Sequence, residues 1–206
     1  PPLAVDKSSV GVSRSGAVTS RTSRPSGPLP EVHIIGEIVG GTGFPSNVSC
    51  KWALEVGESW EWVNGIKGGQ SHTDSPLDDG TVVWAHPIDL HYIAGSVHGW
   101  PKLLVQIWEL DDAGRADIVG YGMCHVPAGA GSFRVECPTW RPVGTGREEI
   151  SAHYLGGRPQ LKSTSVLSTD SAQRFLLTTA GSGTVVFQLD VVLKNFESYS
   201  VDFKSV

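Results

Sequence analysis

No stretch of this 206-residue sequence approaches the ~18 uncharged apolar residues that a membrane-spanning helix needs, and its start lacks the continuous apolar segment of a secretory signal. Cysteine is scarce. Cys50, Cys124 and Cys137 cannot all pair within one chain, and none lies in a CxxC motif, so three free, partly buried thiols in a reducing compartment are expected. There is no GxSxG elbow. The glycine-rich stretches at 40–43 (GGTG) and 180–183 (AGSG) lack the Lys-Ser/Thr that would make a phosphate loop. Their glycines are expected in turns, with 180–184 as a hairpin loop. His86 and His91 are an odd number apart, so one regular strand points them to opposite faces. His33, His72, His98, His125 and His153 are scattered, without the Cys/His/acid spacing of a zinc or catalytic site. No catalytic residue, cofactor site or metal ligand is therefore assigned.

Charge is modest and uneven. The total is −5. Lys7, Arg14, Arg21 and Arg24 against Asp6 give residues 1–30 a net +3, which leaves −8 on residues 31–206. A domain of that sign repels phosphate backbones and anionic lipid on average, so no nucleic-acid partner is expected. Residues 1–30 are rich in Ser, Gly and Pro and have no sustained periodicity, the composition of a disordered segment. This segment reads as a natural extension, a processed end or a cloning remnant, and its basic, serine-rich start faintly resembles a transit peptide.

From Glu31 a period of two sets in. Val32, Ile34 and Ile38 share a face; Cys50, Trp52, Leu54 and Val56 alternate with Lys51, Ala53 and Glu55; Val185, Phe187, Leu189, Val191 and Leu193 alternate with polar positions. Strands with one dry face in this pattern pack as an antiparallel sandwich, an all-β fold. Strands are expected near 31–39, 48–57, 59–63, 82–92, 102–109, 118–126, 132–137, 173–179 and 184–194. Pro87 places its strand at an edge or a bulge. One short helix is expected at 146–155, opened by a Thr145/Glu148 capping box and stopped by Gly156, followed by a polar loop at 156–172. Trp100 in GWP and Trp140 in CPTWRP read as packing anchors at sheet corners. Glu109, Asp111 and Asp117 stand in an acid-x-acid-x5-acid spacing, which is the short-carboxylate chemistry of a calcium loop.

The combination of EVHIIGEIVGGTGFPSNVSCKWALEVGESW (31–60), WAHPIDLHY (84–92), GWPKLLVQIWELDDAGRADIVGYGMCHVP (99–127), CPTWRPVG (137–144) and GTVVFQLDVVLKNFESYSV (183–201) resembles the B9 domain family of ciliary proteins. The resemblance implies a C2-like antiparallel β-sandwich of about eight strands over residues 31–206. It implies a non-enzymatic scaffold in the cytoplasm and cytoskeleton, at the ciliary basal body and transition zone. The partners it implies are other B9 domain proteins and members of a tectonic-like complex, acting in the diffusion gate between cilium and cell and needed for ciliogenesis. In calcium-binding C2 domains two acidic loops converge on the ions. Here the partner loop, 40–50, carries no carboxylate, so the acidic turn is expected to be a solvated hairpin. A competing reading is a calcium-independent phospholipid-binding module with peripheral membrane contact, for which Phe44 near a loop tip is the supporting residue. Residues 195–203 alternate aromatic and polar positions, and either cover the domain's own edge or add to a neighbouring B9 domain as a strand.

Overall fold

A computed structural model describes residues 27–111, 114–168 and 177–199. Its strands are β1 (Glu31–Thr42), β2 (Val48–Glu55), β3 (Trp60–Gly65), β4 (Gly68–Gln70), β5 (Thr81–Ala94), β6 (Lys102–Leu110), β7 (Ala116–His125), β8 (Gly131–Pro142) and β9 (Thr179–Lys194). Among the described residues, two helices, α1 (Gly146–Leu155) and α2 (Ser165–Ser168), lie between β8 and β9, and a 3₁₀ turn (Glu197–Tyr199) follows β9. All pairings are antiparallel, in the order β3-β5-β1-β9-β8-β7-β6-β2-β4. This is the expected all-β sandwich, made by one sheet that curls until its two halves face each other. The Trp84 indole of β5 donates to the Val48 carbonyl of β2 at 3.1 Å, although five strands separate β5 from β2 in the sheet order.

The period of two builds the dry interior. Val32, Ile34 and Ile38 of β1, Trp84, Ile88, Leu90 and Tyr92 of β5, and Phe187 and Leu189 of β9 face Cys50 and Trp52 of β2 and Leu103, Val105 and Ile107 of β6; all are buried. Pro87 sits where β5 is locally an edge: β1 lies along one side of it, but β3 pairs only with Leu90–Ala94 on the other. Phe196, just after β9, is also in this core, with its ring centroid 6.5 Å from that of Trp100.

Several elements differ from the sequence expectation. AGSG is no hairpin loop; it lies inside β9, where glycine serves close approach instead of turning. A Cβ on Gly183 would meet the Thr42 carbonyl of β1 and the Phe44 ring. Of the strand expected at 173–179, residues 173–176 lie outside the described residues, and strand structure starts at Thr179. CPTWRP is no corner: β8 runs through it to Pro142, with a register shift between Pro138 and Trp140 that accommodates the missing amide. The short β4 has no counterpart in the sequence expectation.

The helix at 146–155 forms as expected. Thr145 and Glu148 close a capping box, and Gly156 at φ 75° ends it. The segment read as a polar loop carries α2, whose Leu167 is fully buried with Leu104, Ile118 and Tyr121 in a second apolar cluster on the outer side of β6 and β7.

Residues 1–26 lie outside the described residues. Leu29 and Pro30 are tied in: Pro30 is buried and its carbonyl accepts from Ala94, while that of Leu29 accepts from Asn195.

Candidate functional site

The acidic turn is spent on holding α1 and the segment after it. Glu109 and Asp117 are paired across the β6–β7 hairpin. The Glu109 carboxylate meets the Arg158 guanidinium at 3.0 Å. Asp111 accepts from the Arg115 side chain and from its backbone N–H, both at 2.7 Å. Asp117 accepts from Gly157 N–H at 3.0 and 3.1 Å. Arg115 in turn donates to the Leu155 carbonyl, which lacks an intrahelical partner at the end of α1, at 2.8 Å. Each of the three carboxylates already serves a cation or a backbone donor, and the facing 43–47 loop supplies no further oxygen ligand of that kind. The turn is a socket for a helix end. Arg158 and Gly157 went unnoticed in the sequence; a Gly-Gly-Arg following a helix stop was the available signal.

Phe44 is not a membrane-facing loop tip. It is 7% exposed and lies 6.1 Å, centroid to centroid, from Trp84. The feature that favoured lipid insertion is a core contact.

Two of the thiols, Cys50 and Cys137, are poor nucleophiles. Cys50, Cys124 and Cys137 are free, the first and last buried. Burial pushes the Cys50 thiol up. A hydrogen bond shared with Cys124, then burial, does the same for Cys137. A shallow cleft of about 290 Å³ between α1 and the sheet is lined by Arg141, Glu149, Arg158 and Ala152 among others. Its guanidinium groups are neutralised, Arg141 by both oxygens of Glu149 at 3.0 Å and Arg158 by Glu109.

α1 is attached by its polar side and shows its apolar side. Glu149 holds it to Arg141, and that guanidinium keeps the Glu149 carboxyl below the usual range. Ile150, Tyr154 and Leu155 are 65%, 76% and 71% exposed. Ile150 and Tyr154, four residues apart, lie on one stripe. A surface helix ordinarily turns such a stripe inward. At the sheet's end, edge strand β3 and its exit also present Trp62, Val63 and Ile66 to solvent.

His86 and His91 do face opposite ways. His86 lies opposite Ile38 on the inner side, edge-on to Trp52, and burial lowers its pKa. His91 points outward and stacks on His33, directly opposite on β1, with centroids 3.8 Å apart. Glu31 stands beside them, its Oε2 3.7 Å from His33 Nε2 and 3.3 Å from His91 Nε2. Lys194 lies 3.3 Å from the same oxygen, and its hydrogen bond is the main reason the Glu31 carboxyl sits below its usual range. Spacing along one strand could not show this group, because it is assembled by the β1–β5 register. His72, His98 and His125 are exposed, and the His153 side chain lies outside the described residues.

A family model described as "Ciliary basal body-associated, B9 protein", the B9-C2 domain, matches residues 32–192. The chain is 42% identical over 175 residues to B9 domain-containing protein 2 of Danio rerio, covering 84% of this chain and 99% of that one. It is 26% identical over 164 residues to human B9 domain-containing protein 1, covering 77% and 80%. Among solved structures, a C2 domain of plant Extended Synaptotagmin 1 aligns with a TM-score of 0.38 at 12% identity, over 81% of this chain and 95% of that one.

Proposed function

The chain belongs to the B9 family of ciliary basal body-associated proteins, and on that footing we propose that it is a non-enzymatic scaffold subunit of a complex at the ciliary transition zone. Its work is binding. The sandwich presents surfaces to sister B9 domains, of which B9 domain-containing protein 1 is the kind of partner meant, and through them to a tectonic-like membrane complex that gates entry to the cilium and supports ciliogenesis.

The observation that carries this reading is the outward apolar stripe of α1. Ile150, Tyr154 and Leu155 lie in solvent on a helix whose ends are fixed by a capping box and by Arg115. A helix fixed at both ends presents large side chains from a backbone that needs no further ordering when a partner covers them, and a central aromatic is the usual anchor of such contacts. Supporting it, the carboxylates that would hold calcium are occupied, the Cys50 and Cys137 thiols are buried, and Phe44 is in the core.

The test is co-expression of the full chain with B9 partner proteins, followed by size-exclusion chromatography with light scattering. A defined complex is expected, with a buried area on the order of 1,200–2,000 Å². Ile150→Ala with Tyr154→Ala should weaken it by more than about tenfold, the scale of losing a central anchor, and leave the melting temperature unchanged. If the full-length chain co-elutes with no B9 partner yet sediments with liposomes by itself, the scaffold reading fails and the lipid-binding one replaces it.

A further inference from the structure

We propose that Glu31, His33 and His91 form a binding site for a divalent transition metal ion, zinc foremost, on the outer face of the β1–β5 strand pair. Glu31 and His33 are two residues apart on β1 and so share a face. The antiparallel register sets His91 of β5 opposite His33. One ligand atom from each residue falls in a group whose members all lie within 4.8 Å of one another. Zinc–nitrogen and zinc–oxygen bonds of about 2.0–2.1 Å in a tetrahedron put neighbouring ligand atoms roughly 3.3–3.4 Å apart. The two edges from Glu31 Oε2, at 3.3 and 3.7 Å, lie close to that spacing.

A second observation points to a cation. His91 Nε2 is shielded from solvent and makes no aligned hydrogen bond, yet it faces the Glu31 carboxylate at 3.3 Å. In the neutral ring a bare lone pair there would oppose an anion. A positive centre between them satisfies both, and a metal satisfies His33 as well. The three side chains are only 34%, 22% and 22% exposed (His33, His91, Glu31), so the charges are partly desolvated.

The donor set selects the class of ion. Two imidazoles and one carboxylate suit zinc, copper or nickel, whereas calcium and magnesium take oxygen ligands almost throughout. Three protein ligands leave a fourth position for water or for an incoming donor. Parallel rings aim their lone pairs side by side, so binding turns one ring out of the stack. Lys194 holds both Glu31 oxygens, at 3.3 and 3.4 Å, but its side chain is 60% exposed and can swing away; it competes with the metal without closing the site.

The test is zinc titration of the full chain by calorimetry near neutral pH, with cobalt(II) as a spectroscopic stand-in. One equivalent should bind, with a cobalt spectrum of nitrogen and oxygen ligands and no thiolate charge-transfer band from the cysteines. His33→Ala, His91→Ala and Glu31→Gln should each weaken binding by more than about tenfold, the size that loss of even an outer-shell partner reaches. His125→Ala, an exposed histidine elsewhere, should leave it unchanged. Lys194→Met should tighten binding several-fold, a gain that misfolding cannot imitate. Affinity should fall on acidification, because an imidazole must be neutral to bind a metal. Binding that survives His91→Ala, a thiolate band, weaker binding in Lys194→Met, or no saturable zinc uptake would each overturn the proposal.

Discussion

On β6 and β7, the side chains that point away from the main core, Leu104, Ile118 and Tyr121, are 9%, 0% and 3% exposed. On β1 and β9, Ile35 and Val192 in the equivalent outward position are 47% and 51% exposed. Both outer faces carry apolar residues. What differs is the chain that follows. After β8 it forms α1, runs back over β6 and β7, and sets Leu167 and Leu161 into the outer cluster. Nothing among the described residues does this for β1, β5 and β9, whose outer face carries Glu31, His33, His91, Asp89 and Asp190 beside the exposed aliphatics. A sheet face is made dry by the segment that crosses it, and one curled sheet can have a sealed side and an open side. The sealed side spends its charges internally, on Arg115 and Arg158; the open side keeps a donor group that can take a ligand.

The contrast is broken most severely at Leu167. Leu167→Ala removes the peg of the cover and should cost about 2–4 kcal/mol. At the usual scaling for a domain of this size the melting temperature falls roughly 4–16 °C, and hydrogen exchange should speed up along β6 and β7. A loss under about 1 kcal/mol would mean the cover is not structural. Next in size is Tyr121→Phe. The tyrosine hydroxyl accepts from Leu161 N–H at 3.1 Å, and leaving that donor unpaired in a partly buried place should cost about 1 kcal/mol in chemical denaturation.

The anchoring of α1 should depend on acid. The Glu149 carboxyl is held down in the folded chain by Arg141, and that of Glu148 by the Thr145 N–H. A folded-state pKa below the unfolded one stabilises above the unfolded value, near ~4.3 for glutamate, and is lost as pH falls through the folded value. Protection of α1 amides, taken relative to the intrinsic exchange rate at each pH, should therefore fall on acidification below about pH 4, and the fall should flatten in Glu149→Gln. Ile35→Thr and Val192→Thr on the open side should alter stability by no more than about 0.5 kcal/mol. Smallest of all, millimolar calcium should move the melting temperature by less than about 1 °C, since a site with its carboxylates engaged offers little differential binding.

The interior was legible because period two is a property of single strands: Val32, Ile34 and Ile38, or Val185 to Val191, announce their dry face without knowledge of any partner. The capping box at Thr145 was legible for the same local reason. Three features were not. Leu104 and Trp108 make β6 apolar on both faces, which is the mark of a strand covered twice, yet the cover itself is a polar stretch with a single deeply placed leucine. AGSG has the composition of a turn, and only the passage of Thr42 and Phe44 against it explains why glycine must sit in a strand. The Glu31–His33–His91 group depends on which residue of β5 stands opposite His33, a register that no spacing along the chain encodes.

β1 and β9 are antiparallel neighbours, and Glu31 pairs with Lys194. The described domain thus begins and finishes at one point, with Leu29 bonded to Asn195. Pulling those two ends apart would load the β1–β9 hydrogen bonds one after another, from the Glu31 pair inward, and not all at once as shear along the strands would. Between its own ends the sandwich is a zipper. A pull transmitted from the β3 or β4 rim to either end meets the curled sheet across its width, so as a link under tension its strength depends on where a neighbour takes hold.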